Sequence, residues 1–289
     1  MTVLETIKRG TEFLAGKGVD SPRLQMELML AHVLQLPRLK LYLNFERVLT
    51  ETEVETLRAM VKRRGEREPL QHILGSTSFC GVELMVNKNA LIPRPETEIL
   101  AEKGWTFLVK LVRSGVARPR VLDFGTGTGC LAITLATKCP EAEFYALDIS
   151  REALDIAVAN AKRHSVSDRI HFVVSDAFQQ CPADLKFDLL ISNPPYIPTA
   201  ELATLQPEVR DYDPRLALDG GSDGLNFYRH LAEFAPAFLN PEGHVMLEFG
   251  DGQSAVLEKV FSDRPWELIS IEPDYTGRPR ILIARRAAR

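Results

Sequence analysis

Four cysteines in 289 residues, Cys80, Cys130, Cys139 and Cys181, include no C-x-x-C pair, and the six histidines make no H-E-x-x-H. A zinc centre or a dithiol redox site is therefore not expected. Isolated thiols of this kind suit a reducing compartment. No apolar run approaches the length that crosses a bilayer, and MTVLETIKRG has no apolar core of signal-peptide length, so a cytoplasmic chain off the membrane is expected. A basic excess is also missing: 35 Lys and Arg face 39 Asp and Glu. That removes the whole-chain electrostatic footprint of a nucleic-acid binder. What is present, 45% apolar and 26% charged residues, describes an ordinary globular protein long enough for about two domains. The charge is uneven. Residues 1–92 carry 13 basic and 11 acidic side chains, and residues 93–289 carry 22 and 28.

The first 66 residues read as helical. Leu4, Ile7, Phe13 and Leu14 fit one amphipathic face, and Leu24, Leu28 and Ala31 continue at helical spacing. Ser21-Pro22 predicts a helix start with Ser as N-cap; Thr50 with Glu53 predicts a capping box, and Gly65 a C-terminal stop. From Phe79 to Val86 the pattern alternates like a strand pair turning at Gly81, and Ile92-Pro-Arg-Pro95 punctuates the chain. Beyond Glu96, strands and helices alternate. Strands are expected at 121–124, 143–149, 170–174, 187–192, 243–249, 267–272 and 280–285, with helices at 129–138, 150–164, 224–239 and 252–262. This alternation predicts an α/β doubly wound, mostly parallel sheet; the short last connection predicts an antiparallel last strand.

The loop after the first of these strands, Asp123-Phe-Gly125-Thr126-Gly127-Thr128-Gly129, reads acid-x-G-x-G-x-G. A dinucleotide fingerprint beginning at Gly125 needs glycine at 130, where Cys stands. The loop instead resembles the first motif of Rossmann-like S-adenosylmethionine-dependent methyltransferases. In that class the acid, here Asp123, lies near the cofactor's ammonium group. Asp148 ends the next strand, about 20 residues on, where an acid accepts ribose hydroxyls. Asp176 ends the third. The resemblance implies that it meets the adenine amino group, with Ala177 and Phe178 at the ring; Ala177 stacks on nothing, so Phe178 is expected to supply the face. A helix N-cap is the plainer role for Asp176.

After the fourth strand comes Asn193-Pro194-Pro195-Tyr196. Two prolines fix two φ angles and leave rigid carbonyl acceptors. The Asn193 side-chain oxygen and the Pro194 carbonyl can accept both hydrogens of a planar NH₂ group, while Tyr196 stacks on the flat group carrying it. Such a nitrogen is a poor nucleophile because its lone pair is delocalised. Acceptors aimed at its hydrogens stabilise the positive charge that grows as it attacks a sulfonium methyl. A strong base is not needed, because the methylated nitrogen cation loses its proton readily. The motif admits adenine N6, guanine N2 and glutamine amides alike.

Two longer stretches narrow the choice. Arg67-Glu-Pro-Leu-Gln-His-Ile-Leu-Gly75 followed by Leu91-Ile-Pro-Arg-Pro-Glu-Thr-Glu98, and Ala217-Leu-Asp-Gly-Gly-Ser-Asp-Gly-Leu225 with Tyr228-Arg229, resemble the release-factor glutamine N5-methyltransferases. The resemblance covers nearly the whole chain. His72 stands where Tyr is frequent there, and Ala177 where a larger residue is found. It implies a Rossmann-like α/β sheet preceded by a small helical N-terminal domain and a β-hairpin linker: a helical substrate-recognition domain at 1–75, the linker at 76–92 and the methyltransferase domain at 93–289. The implied reaction methylates the glutamine of the Gly-Gly-Gln tripeptide in class 1 peptide chain release factors, converting S-adenosyl-L-methionine to S-adenosyl-L-homocysteine. Asn193, Pro194 and Tyr196 would be catalytic, and Asn193 to Tyr196 would bind the substrate. Asp123, Gly125 to Gly129, Asp148, Asp176, Ala177, Phe178 and Asn193 would hold the cofactor. No metal and no stable nucleic-acid partner are expected, and the chain is expected to act as a monomer. The Ile92–Glu98 segment is placed near the site without individual roles.

Two other classes compete. A nucleic-acid N6-adenine or N2-guanine methyltransferase fits the tetrapeptide, but residues 93–289 are acidic and no target-recognition module is evident. Lys62, Arg63, Arg64 and Arg67 form a basic cluster that either meets an acidic partner surface or RNA, or is a solvated helix end favoured by the helix dipole. A non-enzymatic cofactor-binding adaptor has no use for the intact tetrapeptide. His32, His230, Trp105 and Trp266 read as structural.

Overall fold

The computed structural model describes residues 1–182, 184–262 and 265–287. Its contacts divide the chain into two units, Met1–Ser76 with Leu205–Tyr212, and Thr77–Thr204 with Asp213–Arg289. Among the described residues no helix is long and apolar enough to cross a membrane.

The first unit is built of helices Val3–Gly16, Pro22–Leu34, Glu51–Gly65 and Leu70–Leu74. The Thr50–Glu53 capping box forms, and a second, Thr2 with Glu5, opens the first helix. The other predicted termini differ. Ser21 precedes Pro22 but adopts a left-handed φ of 47° and makes no side-chain cap bond. Gly65 is the last helical residue, and the left-handed position falls to Arg67, at φ 69°. A Cβ at Gly65 would lie 2.8 Å from the ring of half-exposed Phe13, which would have to turn aside. The buried stripe of the first helix runs through Val3, Ile7 and Leu14, which meet Met26, Met29, Leu30, Leu57 and Met60, whereas Leu4 and Phe13 are 45% and 44% exposed. His32 is exposed as well.

The basic cluster is mostly occupied. Buried Arg64 donates to Gln25 Oε1, to the Glu68 carbonyl and to Glu208 Oε1. Arg67 binds both oxygens of Glu208 at 2.7 Å, and Arg63 binds Glu68. Burial raises the Glu208 carboxyl, but the hydrogen bonds from Arg67 and Arg64 outweigh it and hold the group down at about 2. Arg63, Arg64 and Arg67 are thus engaged by acidic partners, while Lys62 stays on the exposed helix end.

A two-stranded hairpin comes next, β1 (Ser76–Phe79) and β2 (Val82–Met85), turning at Cys80 and Gly81, whose φ angles of 50° and 79° match a tight primed turn. Asn160 fastens it by exchanging hydrogen bonds with the Met85 backbone, and Glu98 accepts from Cys80 N. The main sheet follows: β3 (Arg120–Phe124), β4 (Glu143–Asp148), β5 (Ile170–Val174), β6 (Phe187–Ser192), β7 (Leu239–Glu248), β8 (Trp266–Pro273) and β9 (Pro279–Arg286). Their order is β5-β4-β3-β6-β7-β9-β8. Neighbours from β5 to β7 are parallel, while β9 runs antiparallel to both β7 and β8. The last strand is the antiparallel one, as the short connection predicts.

Successive residues of β3 face opposite cores. Val121 packs with helices Pro95–Arg113 and Cys130–Lys138, and Leu122 and Phe124 pack with helices Asn226–Phe234 and Ser254–Ser262. Trp266 is buried, its indole N–H donating to the Ala232 carbonyl, and Trp105 is partly buried. The order reverses between β3 and β6, whose C-terminal ends lie side by side with Asp123 opposite Ile191. Ligands of such sheets bind in the crevice at this reversal.

Candidate functional site

The glycine loop leaves β3 and is pinned at once to β4. Gly125 N and Thr126 N both donate to the Leu147 carbonyl at 2.9 Å, and Gly127 N donates to Asp148 Oδ2 at 2.8 Å. The second oxygen of Asp148 accepts from Ser150 N. Gly125 and Gly127 have left-handed φ angles of 72° and 55°, with open space where a Cβ would stand. That space is a cradle that side chains would fill. Thr126 and Thr128 are buried, the Thr126 hydroxyl bonding to the protein and Thr128 Oγ1 left without a hydrogen-bond partner, and Gly129 caps the next helix. Asp123 is fully buried. Its Oδ2 accepts from Thr126 Oγ1 at 2.6 Å and from Ala132 N, whereas its Oδ1 has no hydrogen-bond partner. Burial pushes its carboxyl up to about 7, and the Asp148 charge adds to the shift. An unpartnered buried carboxylate oxygen needs a donor. The ammonium group of S-adenosylmethionine is one, so these residues fit that molecule.

The third strand end departs from expectation at one position. Asp176 is exposed and no helix starts after it, only a turn in which Gln179 N donates to the Asp176 backbone carbonyl and Gln180 N to Ser175 Oγ, so it is not a helix N-cap. Ala177 takes a left-handed φ of 52°. Phe178 is buried and stacks on Phe238 at 4.7 Å and on His230, with Phe124 tilted beside it. Its ring belongs to an aromatic core cluster, not to an open ligand face. The apolar side chain left standing at this rim is Ile149, next to Asp148 and 53% exposed.

Asn193 to Tyr196 follow β6 directly. Asn193 Nδ2 donates to Thr97 Oγ1 at 3.0 Å, and Thr97 Oγ1 donates to Glu248 Oε2 at 2.7 Å. Thr97 and Glu248 are both 2% exposed, and burial lifts the Glu248 carboxyl to about 7. The Tyr196 phenol is pushed up to about 12, by burial first and then by the Glu248 charge, and so stays neutral. Gln253 clamps the turn, its Nε2 donating to the Tyr196 carbonyl at 2.9 Å and its Oε1 accepting from Gly250 N at 2.9 Å. The Ala217–Leu225 signature lies against this backbone: Ile197 N donates to the Leu218 carbonyl, and Gly220 N to the Ile197 carbonyl. A Cβ on Gly224 would come within 2.3 Å of the Tyr196 carbonyl oxygen. Arg94, bound to Asp213 at 2.5 Å, completes the rim.

The structure thus brings the glycine loop, Asp148 and the tetrapeptide to adjoining strand ends, and adds Thr97, Glu248, Gln253 and Ile149. Thr97 lies in the Ile92–Glu98 signature, and Glu248 is an acid closing a buried strand, a pattern visible in the sequence. Gln253 has no sequence signal.

Comparison with known proteins gives two family matches, to the PrmC N-terminal domain over residues 5–75 and to the methyltransferase small domain over residues 101–208. The release factor glutamine methyltransferase of Chlorobaculum tepidum is 46% identical over 286 residues, covering 96% of this chain and 95% of its own. That of Geobacter sulfurreducens is 44% identical over 250 residues, covering 86% and 84%. A methyltransferase crystal structure from Pyrococcus furiosus, 18% identical, superposes with a TM-score of 0.52 over 73% of this chain and 92% of its own, a likeness of fold.

Proposed function

Because the chain belongs to the release factor glutamine methyltransferases, we propose that it methylates the side-chain amide nitrogen of the glutamine in the Gly-Gly-Gln motif of class 1 peptide chain release factors. The observation that carries this reading is the Asn193–Tyr196 turn at the end of β6, beside the glycine loop of β3, with the Asn193 carboxamide held from behind by Thr97. S-adenosyl-L-methionine supplies an electrophilic sulfonium methyl and leaves as S-adenosyl-L-homocysteine.

Asp123, the Gly125–Gly129 backbone, Asp148 and the Asp176–Ala177 turn would hold the cofactor, with Ile149 rather than Phe178 offering an apolar face. Asn193 Oδ1 and the Pro194 carbonyl accept the two hydrogens of the glutamine NH₂, fixing its plane and stabilising the positive charge that develops on nitrogen. Tyr196 covers the flat amide as a neutral phenol. Fixed orientation supplies much of the remaining rate. The amide proton departs after transfer, so no strong base is required.

The helical residues 1–75 are read as the release-factor recognition domain, 76–92 as the linker and 93–289 as the catalytic domain. Leu39 and Leu43, 71% and 76% exposed, are candidates for the recognition surface. Replacing both with Ser is expected to raise KM for whole release factor severalfold with cofactor affinity intact; an unchanged KM removes that role. The chain is further read as a cytoplasmic monomer; stable nucleic-acid binding is not expected of it, and Arg63, Arg64 and Arg67 are engaged by Glu68 and Glu208.

The direct test is methyl transfer to purified release factor, read by peptide mass spectrometry. One methyl on the Gly-Gly-Gln glutamine, lost in Asn193→Ala, is the expected result. Label entering DNA or RNA instead overturns the substrate assignment.

A further inference from the structure

We propose that Thr97 and Glu248 are positioning residues that set the polarity of the Asn193 carboxamide, so that its oxygen and not its nitrogen faces the substrate. The inference rests on the glutamine-methylating reading above and adds what enforces the acceptor. A threonine hydroxyl has one proton to give. Thr97 sits in the first turn of helix Pro95–Arg113, and Glu248 closes β7, whose Leu247 pairs with Ser192 of β6. Two segments distant in sequence therefore converge behind Asn193. An ionised Glu248 has no proton and accepts the one on Thr97 Oγ1, 2.7 Å away. Thr97 can then only accept from Asn193, whose Nδ2 stands 3.0 Å away, and the carboxamide oxygen is turned outward. The anionic charge also polarises the chain of bonds and strengthens the outward acceptor.

Protonation reverses the chain. A Glu248 acid donates to Thr97 Oγ1, Thr97 donates to the Asn193 carbonyl, and the flipped amide presents N–H groups to an N–H substrate. Glu248 is poised between these states at about 7, chiefly by burial. Its surroundings are mixed. Glu96, on the same helix as Thr97, raises it, and Arg94 and Arg280 lower it. The Tyr196 phenol and the Cys130 thiol carry no charge near neutrality, since burial raises both, and the Tyr228 hydroxyl is taken up by the Glu248 backbone carbonyl at 2.7 Å.

The test is a pH series of methyl transfer with three variants. Thr97→Val keeps the shape and removes the hydroxyl, and is expected to lower kcat about 10- to 100-fold with KM and cofactor Kd nearly unchanged, while the loss of the donor to buried Glu248 lowers Tm without unfolding the protein. Thr97→Ser restores it. Glu248→Gln keeps an acceptor for Thr97 but cannot ionise, so the acid limb of kcat near pH 7 disappears. Full kcat in folded Thr97→Val, or an acid limb that persists in Glu248→Gln, overturns the proposal. A readout without substrate separates it from the assigned reaction. The Asn193 side-chain N–H resonances, identified by their loss in Asn193→Ala, are expected to shift with a midpoint near pH 7 in the wild type and not in Glu248→Gln. Resonances that ignore pH in the wild type overturn it whatever the substrate.

Discussion

At the residue scale, the two buried carboxyls of the site are set up for opposite partners. Glu248 already holds the Thr97 hydroxyl, whereas Asp123 Oδ1 is buried with no donor. An ammonium group arriving at Asp123 stabilises its ionised form, so a carboxyl near 7 must fall on binding. Cofactor binding near pH 7 is therefore expected to release up to one proton, measured by calorimetry in buffers of different ionisation enthalpy. Asp123→Asn should abolish the release and weaken binding about tenfold or more. Asn193→Ala makes the complementary prediction. It removes an acceptor for charge that develops during transfer, so kcat should fall about 10²- to 10³-fold with cofactor Kd within a factor of about two. A large change in cofactor Kd would show instead that Asn193 is chiefly a cofactor ligand.

At the element scale, the Ala217–Leu225 turn is a buttress for the tetrapeptide. Gly224 combines a φ of 76° with contact so close that a Cβ would meet the Tyr196 carbonyl oxygen at 2.3 Å, and Gly220 is similarly tight against the Pro195 carbonyl. Gly224→Ala is expected to displace Tyr196 and destabilise the fold by roughly 1–3 kcal/mol, with kcat reduced more than cofactor binding, as denaturant unfolding and initial rates would show. The signature was legible as a motif, but its role was not, because sequence spacing does not reveal which backbone a glycine lies against. The same limit explains Phe178. Its position after Asp176 suggested a ring at the ligand face, yet Phe238 and His230, some 50 residues on, draw it into a stack. Strand periodicity read the sheet well, because β3 to β7 alternate between two cores or are buried throughout. Helix ends read less well: the capping box at Thr50 is a local side-chain exchange and was found, whereas the left-handed residues at Ser21 and Arg67 depend on how the chain turns into its next element.

At the scale of the whole molecule, these carboxyls give stability a definite pH dependence. Asp123 and Glu248 are raised above their unfolded values of 3.8 and 4.5, so the stability they contribute is complete below those values and is lost as pH rises through about 7. Glu208 has the opposite sign. Its group is held at about 2 against 4.5, so its contribution is present above 4.5 and is lost as pH falls through about 2. Together they place their joint optimum near pH 4, with a decline of a few kcal/mol toward neutrality that belongs to the site itself. Asp123→Asn and Glu248→Gln, neither able to ionise, should each flatten part of that decline in a series of melting temperatures from pH 4.5 to 8. Saturating S-adenosylmethionine should flatten the Asp123 part alone, because the ammonium group makes the ionised form the favoured one. If the ligand raised Tm equally at all pH values, the unpartnered oxygen of Asp123 would not be where the cofactor's charge is received.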